Sequence, residues 1–268
     1  MASVPEPVRA FAEDATAFLA LLPGDERILT PAYSVLFTPG AQYWSTIVER
    51  LRLAAGDVES GVSEIRELML SRGRTAAVWR VGPSATPKGL VERLLAMGME
   101  SESEEDTVIL VLTEPPRATP STLDVRVVST FEEHVAAIEV ASRGFEFPAG
   151  DAADELRRAR DTFESERAGR SSARLVAFDG DRPVATGRAF FSPFGLYLVG
   201  GATLPSDRRR GAMTAIVARA WEEAARRETP ALATLGGKMA APTLQKIGFV
   251  PIGRVRHLID RIPEDRTP

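Results

Sequence analysis

Hydrophobic positions in the first 113 residues change repeatedly between helical and extended spacing. Apolar residues at i, i+3, i+4 and i+7 from Val8 predict an amphipathic helix that continues to Leu22. The same spacing predicts further helices at residues 44–51, 62–72 and 87–97. Short apolar runs predict strands at residues 33–37, 75–81 and 107–112. This part of the chain is therefore expected to mix helices and strands.

The rest of the chain has a clearer order of elements. Thr130 and Glu133 have the spacing of a capping box and predict a helix that begins at residue 131. Asp179-Gly180-Asp181 predicts a hairpin turn. The expected order is β-α-α-β-β-β-α-β-α-β, which predicts a mixed sheet with helices packed on it. Strands are predicted at 123–127, 174–178, 183–191, 195–204, 231–235 and 254–260, and later helices at 211–227 and 242–247, with one more helix carrying Leu156 and Phe163.

A proline-rich stretch at residues 114–121 divides the chain. Its prolines make an extended, stiff connection, so we predict a first domain at 1–113 and a second at 122–268. Both parts end with a strand, a short helix, a Gly-apolar pair and a strand; the pairs are Gly98-Met99 and Gly248-Phe249. This repeat favours an ancient duplication. The alternative is coincidence, because glycine is the usual residue at a helix end.

Composition and charge exclude several classes of protein. The chain is 44% hydrophobic and 26% charged, which is typical of a globular protein and not of a disordered one. The net charge of −4 argues against a protein that depends on bulk attraction to nucleic acid. The chain has no cysteine and only two histidines, so neither disulfides nor a metal site is expected. Without a signal peptide or a long apolar run, we expect a cytoplasmic protein that binds no membrane.

The segment at residues 200–214 has the most informative pattern. A strand leads through a short loop into a helix, and Arg208, Arg209 and Arg210 stand at the start of that helix. Cations are unfavourable at a helix N-terminus by about 0.3–1 kcal/mol each, so the arrangement makes sense if an anion such as a pyrophosphate binds there. Gly211 would let the backbone approach that anion closely. The alternative interpretation is a solvated basic helix end.

These residues resemble a known coenzyme signature. Arg208-Arg-Arg-Gly211-Ala-Met213 is similar to the Gln/Arg-x-x-Gly-x-Gly/Ala motif of the GNAT superfamily of N-acetyltransferases, with Met213 where that family prefers a smaller residue. The resemblance covers residues 122–262. It implies an α/β (α+β) fold of two tandem GNAT-like domains, each a mixed, mostly antiparallel sheet flanked by helices. The first domain would be degenerate, since an acidic stretch at 55–60 replaces the arginine loop.

The resemblance also implies a cosubstrate and a reaction. Acetyl-CoA would donate an acetyl or related acyl group to a primary amine, carried by a small molecule or a peptide, which attacks the thioester directly. No metal would take part. The implied coenzyme-binding residues are Ala202, Thr203, Leu204, Arg208, Arg209, Arg210, Gly211, Ala212, Met213 and Thr214.

The catalytic residues are less well indicated. The family often has a tyrosine acid in the last short helix, where this chain has Leu244. Tyr197 is the titratable residue of the strand at 196–204, although it also suits an ordinary sheet aromatic, and Glu146 lies in the Phe-rich loop that would border the acceptor. A non-catalytic protein that binds or senses acyl-CoA therefore remains an alternative. A third hypothesis is a nucleic-acid-binding module that uses the arginines, which the net negative charge of the chain disfavours. The sequence leaves open whether the protein forms a homodimer.

Overall fold

The computed structural model describes residues 4–117, 121–169 and 171–262. Residues 118–120 of the predicted linker lie outside the described part of the chain. In the described residues, twelve strands join into one sheet with the order β1-β2-β3-β4-β12-β6-β11-β10-β9-β8-β7, and β5 pairs with β12. The elements of the first half are α1 (Glu6–Glu13), β1 (Glu26–Leu29), β2 (Ser34–Phe37), β3 (Thr46–Glu49), α2 (Val58–Leu70), β4 (Ala76–Val81), α3 (Leu90–Ala96), β5 (Glu100–Ser101) and β6 (Thr107–Leu112).

The second half follows the predicted order closely. Its helix α4 begins with the expected capping box, in which the Thr130 hydroxyl accepts from the Glu133 amide at 3.2 Å. The predicted helix around Leu156 and Phe163 is two helices that meet at Arg158. The elements are β7 (Asp124–Val127), α4 (Phe131–Gly144), α5 (Ala149–Arg157), α6 (Ala159–Gly169), β8 (Ser172–Asp179), β9 (Arg182–Ser192), β10 (Gly195–Thr203), α7 (Ala212–Arg226), β11 (Leu232–Gly236), α8 (Ala240–Ile247) and β12 (Val250–Arg261).

Two predicted helices of the first half were wrong in part or in whole. The helix expected from Val8 to Leu22 ends at Glu13, because the backbone of Asp14 leaves the helical region and the Ala17 amide donates to Glu49 at 3.3 Å. The helix expected at 44–51 is a 3₁₀ turn followed by β3. The apolar residues of this segment lie on both faces of β3, and β3 pairs with β2 on one side and with β4 on the other.

The two halves exchange strands. β6 belongs to the first half of the sequence but lies between β12 and β11. β12 is long enough to pair with β6 through residues 250–255 and with β4 through residues 256–261. The division of the chain at 114–121 remains a prediction, and the hydrogen-bonded sheet runs across it.

Each half contains a parallel crossover of the same kind. β3 and β4 are parallel and joined by α2, and β10 and β11 are parallel and joined by α7. The apolar face of α7, including Ile216, Val217 and Ala220, packs on one face of the sheet in a core that also contains Leu196 and Leu232. α1 packs on the opposite face against Tyr197, Ala233 and Val255. The crossover fixes the N-terminus of α7 at the carboxyl end of β10.

Candidate functional site: a wedge, an arginine loop and a cavity

The two parallel strands of the second half separate soon after they meet. β10 and β11 pair only at Leu196 with Leu232 and at Tyr197 with Ala233, although both strands continue beyond these positions. The result is a wedge that opens toward the carboxyl ends of both strands. Ligands bind at such ends in parallel sheets, because backbone groups there have no strand partner.

A bulge in β10 widens this wedge. The pairing of β10 with β9 is interrupted between Val199 and Ala202, and Gly200 between them has a φ of +61°. That conformation suits glycine and turns the backbone within the strand. Gly201 lies against the side chain of Met213, whose methyl group would be 2.8 Å from a Cβ at that position. Met213 therefore packs on β10 near the carboxyl end of that strand.

The loop after β10 presents the first amides of α7. A 3₁₀ turn at Pro205–Asp207 is followed by Arg209 with φ +65° and by Gly211 with φ +83°, which is the N-cap of α7. No side chain of the described residues caps this helix. The amides of its first turn therefore lack the usual partners and are available to an anion.

The three arginines of this loop have different surroundings. Arg210 pairs with Asp207 at 2.8 Å and with Asp179 at 2.9 Å. Arg208 donates to the Gly144 carbonyl, at the end of α4, at 3.3 Å. All three side chains are exposed, and Arg209 makes no hydrogen bond or ion pair with the described residues. Of the three guanidinium groups, that of Arg209 is therefore the one without a partner among the described residues, and the role of all three in binding a coenzyme stays a prediction.

Asp207 holds the loop in shape. Its buried carboxylate accepts hydrogen bonds from Arg182 at 2.7 and 2.8 Å, from Ser206 at 2.7 Å and from Arg210. These donors, Arg182 first, hold the pKa of Asp207 well below its ordinary value. Asp207 therefore anchors the turn that precedes α7.

A cavity of about 560 Å³ lies between the two halves on the Tyr197 face of the sheet. The first half contributes the segment from Thr16 to Asp25, parts of β2 and β3, and Arg80; the second half contributes α5, α6, β9 and β10. Val199 on its wall is the last residue of β10 before the bulge. The cavity therefore reaches the strand that forms one side of the wedge.

The two candidate catalytic residues lie in different environments. Tyr197 lines the cavity and is buried, and this burial raises its pKa to about 12. Glu146 is exposed, with φ +56°, between Phe145 and Phe147. Phe147 stacks on Phe145 and on Trp44 of the cavity wall. The Phe-rich loop thus packs behind the cavity wall at Trp44, and neither Phe147 nor Glu146 is among the lining residues.

Comparison with solved structures identifies the fold. A GCN5-related N-acetyltransferase from Kribbella flavida superposes with a TM-score of 0.69 at 20% identity, over 96% of each chain. A tandem GNAT protein from the clavulanic acid biosynthesis pathway gives 0.58 at 16% identity, over 97% of this chain and 89% of that one. A GCN5-related N-acetyltransferase from Sphaerobacter thermophilus gives 0.59 at 14% identity, over 87% and 82%. The chain has the tandem GNAT fold.

Comparison of the sequence with protein-family models and with curated proteins finds no match. The GNAT fold was nevertheless recognisable from the motif, because the loop that carries it lies where strand, turn and helix are all local in sequence. The resemblance also pointed to Leu244 as the counterpart of a tyrosine acid. Leu244 is buried in α8 and packs in the core.

None of the helices in the described residues is long and apolar enough to cross a membrane. No group of three or more acidic or histidine side chains among these residues could hold a metal ion. His134 is buried, and burial lowers its pKa to about 4, so it is neutral near pH 7.

Sequence reasoning missed the charged residues of the cavity. Asp25 and Arg80 of the first half and Arg188 of the second half come from separate parts of the chain and line one cavity only in the folded protein. No motif or spacing connects them, so the sequence offered no signal that could have found them.

Proposed function

We infer that the second half binds acetyl-CoA and transfers its acetyl group to a primary amine that occupies the cavity between the halves. The separation of β10 from β11 beside the uncapped start of α7 is the observation that supports this most strongly. The loop amides and Arg209 would bind the pyrophosphate, the backbone at 202–204 would bind the pantetheine arm, and the cavity beside Val199 would hold the acceptor.

The reaction needs few side chains. The neutral amine nitrogen attacks the thioester carbonyl carbon, a C–N bond forms, and the C–S bond breaks. Backbone amides in the wedge would stabilise the negative charge that develops on the carbonyl oxygen. Starting from the ammonium form of the acceptor, one proton ends on the coenzyme sulfur and one goes to water. Positioning of the two substrates would supply most of the rate enhancement.

A protein that binds acyl-CoA without catalysis is the second candidate, and two observations favour it. Leu244 places an apolar side chain where the family often has an acid. Tyr197 has a pKa of about 12, well above the pKa of about 8.5 of a free thiol, so proton transfer from it to a thiolate is unfavourable. Under the transferase proposal, the protonated nitrogen of the tetrahedral intermediate, which is a much stronger acid than Tyr197, would give its proton to the leaving sulfur.

Calorimetric titration with acetyl-CoA tests the binding step. We expect Arg209→Glu to weaken binding at least tenfold, because it places a negative charge beside the pyrophosphate. Arg254→Glu is the matched control, since Arg254 is exposed on β12, which two strands separate from β10. Equal weakening in both variants, or none in Arg209→Glu, would contradict the proposed binding site.

Release of free coenzyme thiol in the presence of an amine panel tests the transfer step. Thiol release that requires an amine supports the transferase. Acetyl-CoA binding without release from any amine supports the sensing protein instead. If the wild-type protein does not bind acetyl-CoA, both candidates are wrong.

A further inference from the structure

The cavity between the halves is largely apolar but contains arginines on two walls. Its apolar lining includes Leu22, Leu36, Trp44 and Phe190. Arg80 enters from β4 of the first half and Arg188 from β9 of the second half. Charged side chains in an apolar cavity are costly unless they are paired, so the partners of these arginines indicate what else binds there.

Arg80 has fewer hydrogen bonds than its guanidinium can make. Its Nε is buried and has no partner among the described residues. Its contact with Glu49, from Nη1 to Oε2, is long, at 3.4 Å. The other carboxylate oxygen of Glu49, Oε1, accepts hydrogen bonds from the Thr16 hydroxyl at 2.5 Å and from the Ala17 amide at 3.3 Å. Since Nε is buried, the donors that Arg80 keeps for a ligand are those of its terminal nitrogens, of which only Nη1 has a hydrogen bond among the described residues.

Arg188, which β9 of the second half contributes, is more closely paired than Arg80. One of its terminal nitrogens lies 2.9 Å from the Glu166 carboxylate, and its guanidinium packs over the Phe190 ring at 4.5 Å from the centroid. Its Nε is also buried without a partner. Packing and pairing hold this cation in place beside the cavity.

The acidic residues of the cavity complete the pattern. Asp25 and Asp161 line it, and so do Glu155 and Arg158, which pair with each other at 2.8 Å. Three carboxylates thus accompany three arginines in the lining, so a multiply charged anion such as a phosphate ester would meet as many negative as positive groups. A ligand that carries one carboxylate and one ammonium group would satisfy both signs of charge.

We propose that the acceptor is an apolar amino-carboxylate, of the size of a free amino acid, whose carboxylate binds Arg80 while its amine faces Val199 and the wedge. Arg188 adds positive potential from the other wall, and the apolar body of the ligand packs on the leucine and aromatic side chains. This inference rests on the proposed function. It assigns the choice of acceptor to the first half, which has no arginine loop of its own.

Paired ligands that differ only in the carboxylate test the inference. L-leucine is compared with 3-methylbutylamine, and L-phenylalanine with 2-phenylethylamine. Binding is followed by the fluorescence of Trp44, which lines the cavity, in the presence of coenzyme A. We expect at least one amino acid to bind tenfold or more tightly than its decarboxylated partner. Arg80→Gln should remove this preference, because it weakens the binding of the amino acid and not that of the amine. Arg80→Lys keeps the positive charge but loses the paired N–H donors of the guanidinium, so it should reduce the preference only in part.

Arg93→Gln is the matched control, because Arg93 lies in α3 and pairs with Glu59 outside the cavity. Circular dichroism checks that each variant is folded. Failure of both amino acids to bind to the wild-type protein, equal binding of the pairs, or a preference that survives in Arg80→Gln would each overturn the inference. Acetyl-CoA binding, measured separately, decides the proposed function: if it persists while the carboxylate preference is absent, only the inference on the acceptor fails.

Discussion

Asp14 is expected to make the protein less stable as the pH rises. Its carboxylate is buried at the end of α1, 2.8 Å from Arg52, with Glu13 and Glu49 nearby. Burial is the main cause that raises its pKa from 3.8 to about 6; Arg52 opposes this and Glu49 adds to it. The folded protein therefore holds the Asp14 proton more tightly than the unfolded chain does.

The sign and size of the effect follow from this difference in pKa. Stability from the protonated carboxyl is fully present below the unfolded pKa of 3.8 and is lost as the pH rises through about 6. The difference of about 2 pH units corresponds to about 3 kcal/mol of unfolding free energy. Asp14→Asn cannot ionise, so its stability relative to wild type should rise by about this amount between about pH 4 and pH 7.

Urea unfolding at several pH values measures this change through tryptophan fluorescence, since Trp79 is fully buried. Asp57→Asn, at an exposed aspartate, gives the background change that follows from removing one carboxylate. A stability difference between wild type and Asp14→Asn that does not vary with pH, or that falls as the pH rises, would refute the reasoning.

Three other predictions concern the loop before α7 and the glycines at 144, 150 and 211. Asp207→Asn should lower the unfolding free energy in urea by about 2–4 kcal/mol at neutral pH, and by less in acid, because the depressed pKa of Asp207 gives stability that is lost as the pH falls. Gly211→Val should cost about 1–2 kcal/mol at φ +83° and weaken acetyl-CoA binding by calorimetry. Gly144→Ala should destabilise the protein by about 1–3 kcal/mol, since the new Cβ would lie 2.9 Å from the Ala202 Cβ. Gly150→Ala, where no atom lies close to the new Cβ, should stabilise the protein by about 0.5–1 kcal/mol. Equal thermal midpoints for the two variants would contradict this packing.

Local features of the second half were predictable because their causes are local. Helix α7 was expected at 211–227 and spans Ala212–Arg226, since its apolar stripe, its glycine start and its basic end lie within one segment. The hairpin between β8 and β9 and the capping box of α4 follow from a few adjacent residues in the same way.

The first half was harder to predict because its apolar residues face two ways. Ile47 and Val48 have helical spacing with Trp44 but lie on opposite faces of β3: Val48 packs in the core with Val62, while Ile47 lines the cavity. Spacing cannot separate a helix from a strand that is covered on both sides. The strand β1 and the exchange of β6 and β12 also depend on pairing between distant segments.

The sequence by itself predicted where an anion would bind, because strand, loop, arginines and helix start are consecutive in the chain. It also indicated that the first half lacks such a loop. Only the tertiary structure decided which partners each arginine has, since Arg210 pairs with Asp207 and Asp179 while Arg209 makes no ion pair with the described residues. The cavity that contains Arg80 and Arg188 exists because the shared sheet brings the two halves together, and no local pattern specifies contacts between residues so far apart in sequence.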